Sequence, residues 1–350
     1  MAHNINRTNG VDSFYSLREP AWHGLGQVVE RPVTDDEALR LAGLDWQVEL
    51  APLCRHDMVV VETHQATVRG DTHETLGVVG KDWTPVQNHE MFAWLRGLDG
   101  VANVTIETAG ALGNGSTVWV SARCDGLVYD LGDGPTQAYM LLSNGHAGNR
   151  MMGVGFNSTR VVCNNTLRLS DGTKLKGSVK LRHTSNIIAQ MNRIQEAYAA
   201  TTTAWKATEE IMRMLATKPL TDTAAARLFV EPWIPKIKPD TETAEADTKA
   251  DGDEADRAML IRTAREERLK AILASNTCNI ATLGDTLYAG LQAVTEYLTH
   301  EAPSRGKAGL KGEALDQSRA ASRFESNNFG GTMDETKDAA FRLCLELAKA

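Results

Sequence analysis

Thr117-Val118-Trp119-Val120-Ser121-Ala122-Arg123 sets β-branched or small apolar residues at every second position against polar or bulky ones. That is the period of a strand with one buried face. Gly113-Asn114-Gly115 precedes it and Gly132-Asp133-Gly134 follows, the chemistry that tight turns between antiparallel strands demand. Working outward, further strands are expected at Val101–Thr108, Tyr139–Ser143, Met151–Phe156 and Thr159–Cys163. Upstream they are expected at Trp46–Leu50, Met58–Thr63, Ala66–Arg69 and Leu76–Gly80, with Gly70-Asp71 as a hairpin turn.

Two short helices interrupt the strands. Thr34-Asp35-Asp36-Glu37 has capping-box spacing, and Gly43 ends the helix it starts. Asn88 can cap a second, with Met91, Phe92 and Leu95 on one face. Residues 1–33 show no sustained period and read as an N-terminal arm. The expectation is an α+β core domain over 34–183, a mostly antiparallel sheet with packed helices.

From Thr184 the period becomes helical. Ile187, Met191, Ile194, Tyr198, Trp205, Ile211 and Met214 mark one long helix or helix pair ending before Pro219. Further helices are expected from Thr221 to Glu231-Pro232, over Asp256–Ala274, Leu283–Leu298 and Asp334–Ala348. Residues 184–350 thus form an α-helical region. Inside it, 239–256 holds eight acids, one Lys and no aromatic or large aliphatic residue, so an acidic disordered segment is expected. The same composition also suits a nucleic-acid mimic or a shield for a basic groove.

The 350 residues carry 45 acids and 37 bases, a formal charge of −8, with 42% hydrophobic and 23% charged residues. This balance excludes wholesale disorder and collagen-like repetition. No apolar run approaches a membrane span of about 18 residues, and the polar stretch Met1–Gly10 lacks a signal-peptide core. Cys54, Cys124, Cys163, Cys278 and Cys344 are scattered, none within four residues of another. They form no Cys-x-x-Cys pair, and a cytoplasmic setting is expected.

Several chemistries lack their motif. There is no Gly-x-x-x-x-Gly-Lys-Ser/Thr loop, and Arg305-Gly306-Lys307-Ala308 is only a fragment of one. Gly24-x-Gly26 and Gly153-x-Gly155 lack the third glycine of a dinucleotide fingerprint, and His89-Glu90 lacks the second His of a zincin. His56, His64 and His73 are expected to face solvent. No cofactor and no metal ligand set is expected. Cys163 could be a thiol nucleophile with His146 or His183 as base, but Val161-Val162 before it suggests a buried strand end. A nuclease would have to draw carboxylates from Asp57, Glu62 or Asp82.

The strongest signal is electrostatic. Between Gly134 and Gln195 the only acid is Asp171, against Arg150, Arg160, Arg168, Lys174, Lys176, Lys180, Arg182 and Arg193, a net of +7 over 62 residues. The other 288 residues therefore sum to −15. A basic stripe on an acidic body can hold a phosphate backbone along one face while the molecule stays soluble. Interleaved with the cations are groups able to bond phosphates or bases: Asn144, His146 and Asn149, then Asn157, Ser158 and Thr159, then Asn164, Asn165 and Thr166. In the arm, Trp22 beside His23 and flanked by Gly24 could stack on a base or on a neighbouring subunit. A weaker basic set lies at Arg305, Lys307, Lys311, Arg319 and Arg323, either an extension of the groove or a solvated loop.

Five segments in order, Ala21-Trp22-His23-Gly24-Leu25-Gly26, Trp83-Thr84-Pro85-Val86-Gln87-Asn88, Arg160-Val161-Val162-Cys163-Asn164-Asn165-Thr166-Leu167, Arg182-His183-Thr184 and Ala293-Val294-Thr295-Glu296-Tyr297-Leu298, resemble the phage/plasmid-like protein family. The core of that family is a domain of unknown function. The resemblance covers roughly residues 12–300; the acidic stretch 239–256 departs from it. It implies a mobile-element origin and an intracellular setting, and it supplies no catalytic residue. Neighbourhood with replication and recombination genes implies single-strand annealing or protection.

The leading expectation is a non-catalytic, homo-oligomeric protein that binds single-stranded DNA in recombination or replication, without a membrane partner. Arg150, Arg160, Arg168, Lys174, Lys176, Lys180 and Arg182 would line the backbone groove, Asn164, Asn165 and Thr166 would bond phosphates, and Trp22 would stack. The alternative is an acidic interaction protein that binds or inhibits a host factor.

Overall fold

In the computed structural model the described residues are 6–8, 11–17, 27–96, 103–160, 165–168, 179–187, 190, 192–234, 252–275, 278, 283–306, 308–328 and 331–349. In chain order the strands are β1 (Arg7–Thr8), β2 (Val11–Asp12), β3 (Phe14–Leu17), β4 (Gln27–Val29), β5 (Val48–Cys54), β6 (Val60–Arg69), β7 (Thr75–Gly80), β8 (Val104–Leu112), β9 (Thr117–Asp130), β10 (Pro135–Gly145), β11 (Met152–Arg160), β12 (Asn165–Arg168) and β13 (Val179–Leu181). The helices are α1 (Asp35–Leu41), α2 (Asn88–Arg96), α3 (Asn192–Thr217), α4 (Asp222–Leu228), α5 (Gly252–Leu273), α6 (Leu287–Glu296), α7 (Gly312–Asn328) and α8 (Thr332–Leu347). The class is α+β, with helices α3 to α8 in the C-terminal half.

The main sheet runs β12-β11-β10-β9-β8-β3-β4, and β13 pairs with β11 beside β12. All its pairings are antiparallel except β3 with β4. The period-two pattern sorts its faces. Val118, Val120 and Ala122 of β9, Met140 and Leu142 of β10, and Val154 and Phe156 of β11 are buried on one face. The Val, Met, Leu and Phe side chains among them each contribute about 1.5–3 kcal/mol on full burial. Helix α3 covers this face, with Tyr198 against Phe156 and Trp205 against Tyr129. The register shifts between Gln137 and Tyr139, and buried Gln137 bonds the Cys124, Leu127 and Ala138 carbonyls there.

The smaller antiparallel sheet β5-β6-β7 docks through backbone. A Cβ on Gly77 would fall within 2.8 Å of three Ala147 backbone atoms, so only glycine permits the approach. In the C-terminal half, Leu287 to Thr295 of α6 are buried on every side, as a helix at the centre of a bundle must be. One apolar cluster runs from Tyr15 through the sheet into the helices as far as Ala348.

Several expectations are met in detail. Thr34 accepts from Glu37 N and caps α1, Thr221 caps α4 in the same way, and Gly43 turns the chain at φ +61°. Others are corrected. Within residues 1–33, β3 and β4 extend the main sheet, which the sequence pattern did not indicate. Met151–Phe156 and Thr159–Cys163 are not two strands: β11 runs unbroken to Arg160, and Cys163 lies outside the described residues. Met58–Thr63 and Ala66–Arg69 likewise merge into β6. Asn88 does not cap α2; its side chain is buried and used elsewhere, and Glu90 instead accepts from Gln87 N. The Arg305–Arg323 stretch is not all loop, since α7 begins at Gly312. The acidic segment lies outside the described residues up to 251, and from Gly252 onward its residues belong to α5.

Candidate functional site

The described strands of the acid-poor segment form adjacent lanes at one side of the main sheet: β10, then β11, then the lane shared by β12 and β13. Registers join Arg160 to Asn165, Thr159 to Thr166, Asn157 to Arg168 and Gly153 to Lys180. Lys180 and Arg182 are exposed, and Arg150 is half-buried against the backbone of Gly145, where a Cβ would lie 2.5 Å from Arg150 Cβ. Arg150, Lys180 and Arg182 thus stand around one end of β11, while Arg160, Asn165, Thr166 and Arg168 occupy strand positions at its other end. Trp22, Asn164, Lys174 and Lys176 lie outside the described residues.

Two acids on the next lanes are already paired. Arg123 of β9 holds Glu107 and Asp125, each at 2.8 Å. Tyr139 donates to Glu107 at 2.9 Å and Thr105 to Asp125 at 2.8 Å.

Some expected phosphate ligands have other work. Asn144 and His146 have no exposure, and Asn157 and Ser158 are 6% and 4% exposed. A side chain shut away from solvent cannot meet a phosphate, so these four leave the candidate interface. Asn144 Nδ2 donates to Val86 O, at 3.1 Å. His146 Nε2 meets Asn88 Oδ1 at 3.0 Å, and Asn88 Nδ2 donates to the Leu44 and Trp46 carbonyls. His183 Nδ1 meets Thr84 O at 3.0 Å, and its ring stacks on Trp83 with centroids 4.6 Å apart. Residues 84, 86 and 88 are therefore tied in turn to His183, Asn144 and His146. Segment 83–88 is a strap across one end of the main sheet.

The strap's environment is dry. Burial pushes the His146 imidazole down to about 3, helped by the nearby His183, and burial also lowers His183, against the bond to Thr84. Both rings are neutral at physiological pH. Trp46 packs edge-on to His146, and Thr67 Oγ1 donates to His146 O at 2.7 Å. Two of the quoted sequence motifs, 83–88 and 182–184, thus meet in space, a convergence that neither motif announces.

The carboxylates of the nuclease alternative do not gather among the described residues. Cys163 lies outside the described residues, and Asp57 is an exposed turn residue paired with Arg55. Glu62 and Asp82 are exposed on or beside the smaller sheet, as are His56, His64 and His73. Among the described residues no three His, Cys, Asp or Glu side chains form a group able to hold a metal ion. No helix among them is long and apolar enough to cross a membrane.

No curated protein and no solved structure matches the chain. A family model does match, over residues 75–323, a span that holds the strap, the basic lanes and the helices as far as Arg323 of α7. That span is well over half of the chain, which therefore belongs to the DUF932 family, described as a domain of unknown function.

Proposed function

We propose that this chain is a nucleic-acid-binding protein of a phage or plasmid, acting on single-stranded DNA in annealing or protection without catalysing a reaction. One observation carries the reading. Of the acid-poor segment, the described cations Arg160, Arg168 and Lys180 occupy neighbouring lanes of one sheet, with Arg150 and Arg182 just beyond strand ends and Lys180 and Arg182 exposed. A backbone-binding surface needs that contiguity, because affinity for phosphates grows with the number neutralised together. On the adjoining lanes, Arg123 offsets part of the charge of Glu107 and Asp125. The phage or plasmid origin, the cytoplasmic setting and self-assembly along the strand rest on the family resemblance.

The experiment is a salt titration of binding to a fluorescent oligonucleotide. With about six phosphates neutralised, log K falls against log salt with a slope of about −4 for single strands. A slope near zero, or no binding at low salt, overturns the reading. Binding that strengthens when residues 239–251 are deleted fits an acidic stretch competing for the groove. A protein partner lost on that deletion, with no DNA binding before it, favours the host-factor reading instead.

A further inference from the structure

Trp83 opens the strap, and its neighbour is unlike those of other tryptophans in the fold. Trp46, Trp119 and Trp205 are buried, and Trp94 and Trp233 pack against the apolar core. Trp83 lies on the imidazole of His183. The two rings are 19° from parallel with centroids 4.6 Å apart, so one face of the indole is covered. The backbone fixes the pair: Thr84 N donates to His183 O at 3.2 Å, and His183 Nδ1 donates to Thr84 O at 3.0 Å. Trp83 is half-buried, whereas His183 against it is 7% exposed. With one face taken, the indole meets solvent through its other face and its edges.

The surroundings are basic. Arg182 is the chain neighbour of His183, and Lys180 lies two residues further back on β13; both are exposed. Lys81, two residues before Trp83, is exposed as well. Within three residues of Trp83 or His183 along the chain the only carboxylate is Asp82. An aromatic ring held in place among cations suits a single strand, whose phosphates go to the cations and whose unpaired bases each offer a π face. In a duplex those faces are already stacked on one another.

Resting on the single-strand reading above, we propose that Trp83 is a base-stacking platform: an unpaired base lies on the indole while Lys81, Lys180 and Arg182 hold the flanking phosphates. His183 backs the ring and fixes its tilt, so little side-chain freedom is lost when a base lands on it. The contact selects single strands over duplex and does not read sequence, because every base has a π face. His183 is a positioning residue in this arrangement, acting only through Trp83.

The test measures binding of the full chain to two fluorescent probes, an oligo-dT strand and an abasic strand of the same length, which keeps the phosphates and lacks the bases. The wild type should bind oligo-dT more tightly. Trp83→Leu keeps an apolar cover over His183 and removes the π face. It should weaken oligo-dT binding about five- to 150-fold, with abasic binding and the salt slope unchanged. Trp83→Phe restores a ring and should recover most of the loss. Equal affinity of the wild type for both probes overturns the platform and leaves the phosphate-binding reading standing. Equal losses in Trp83→Leu and Trp83→Phe do the same, since they mark a structural role. No binding of either probe at low salt overturns the single-strand reading, and the platform falls with it. If Trp83→Leu fails to fold, photocrosslinking of the wild type to a 5-iodouracil strand decides: an adduct on Trp83 supports the platform, and adducts only elsewhere end it.

Discussion

Tyr288 of α6 donates to Asp133 Oδ2 at 2.8 Å, across 155 residues of sequence and the boundary between sheet and helices. Asp133 sits in the β9–β10 turn, 5% exposed, and Tyr288 is 1% exposed. The turn that ends one hairpin is thereby plugged into the central helix of the bundle. Tyr288→Phe keeps the packing and removes only the donor. The expected loss is about 1–3 kcal/mol, the cost of stripping a partner from a buried acceptor. Urea unfolding followed by far-UV circular dichroism measures it, and an unchanged midpoint would show that the contact does not couple the two halves.

Gly115 stands in the left-handed region at φ +97°, and a Cβ there would lie 2.8 Å from Trp46 Cζ2 and 3.2 Å from Arg69 Nη1. Those two side chains are themselves stacked, the guanidinium 4.5 Å from the Trp46 ring centre, and Arg69 also bonds Asn6 and Asp71. Gly115→Ala therefore meets both backbone strain and a packed cation, at an expected cost of about 2–4 kcal/mol. Gly126 has φ +82° with nothing near its would-be Cβ. Gly126→Ala should lose only the strain, about 1–2 kcal/mol. Equal losses at the two sites, compared by chemical denaturation, would dismiss the steric part.

Lys337 is buried on α8, its Nζ 2.8 Å from Thr299 Oγ1 in the π-helical turn Tyr297–Glu301. Burial pushes its ammonium down to about 7 from an ordinary 10.5, against the attraction of Asp334. Between those two values the unfolded chain binds the proton and the folded chain does not, so unfolding takes up a proton. Stability should therefore rise with pH from about 7 toward 10.5. Lys337→Met retains the volume and removes the titration, so its curve should be flatter over that window and higher at pH 7. Denaturation midpoints at half-unit pH steps decide it; parallel curves for the two proteins would exclude Lys337 as the source.

The strands read best from sequence are those with one wet face, because alternation is visible only where burial alternates. In β11 the signal was broken by Gly153, Gly155 and the Asn157-Ser158 pair, residues typical of turns that here lie inside a ladder. Phe14–Leu17 is too short to show a period and enters the sheet only through its pairing with β8. Capping by Thr34 and Thr221 was legible because it is local. Asn88 misled for the opposite reason: its partners Leu44, Trp46 and His146 are 42 to 58 residues away. The same distance hides the strap, whose sequence motifs are visible one by one while their meeting is a property of the fold. The charge stripe was legible in one dimension, and the sheet sets its described members Arg160, Arg168 and Lys180 on neighbouring lanes. Asn144 and His146 fell out of it because polarity in a sequence does not say which way a side chain faces.

Lys180 and Arg182 give the sharpest test of the proposed interface. Both side chains are exposed, and they flank Leu181 of β13, which pairs with β11. The double variant Lys180→Glu with Arg182→Glu should fold normally and weaken oligonucleotide binding. Because each lost phosphate contact removes about 0.7 from the single-strand salt slope, the slope should become shallower by about 1.4. Lys218→Glu with Lys270→Glu changes the net charge equally at exposed positions in the helical half. That control should leave the slope unchanged if contact matters and net charge does not. Fluorescence anisotropy over a series of salt concentrations separates the cases. An equal loss in both double variants would mean that only overall charge is felt, and the sheet edge would then lose its claim to be the binding surface.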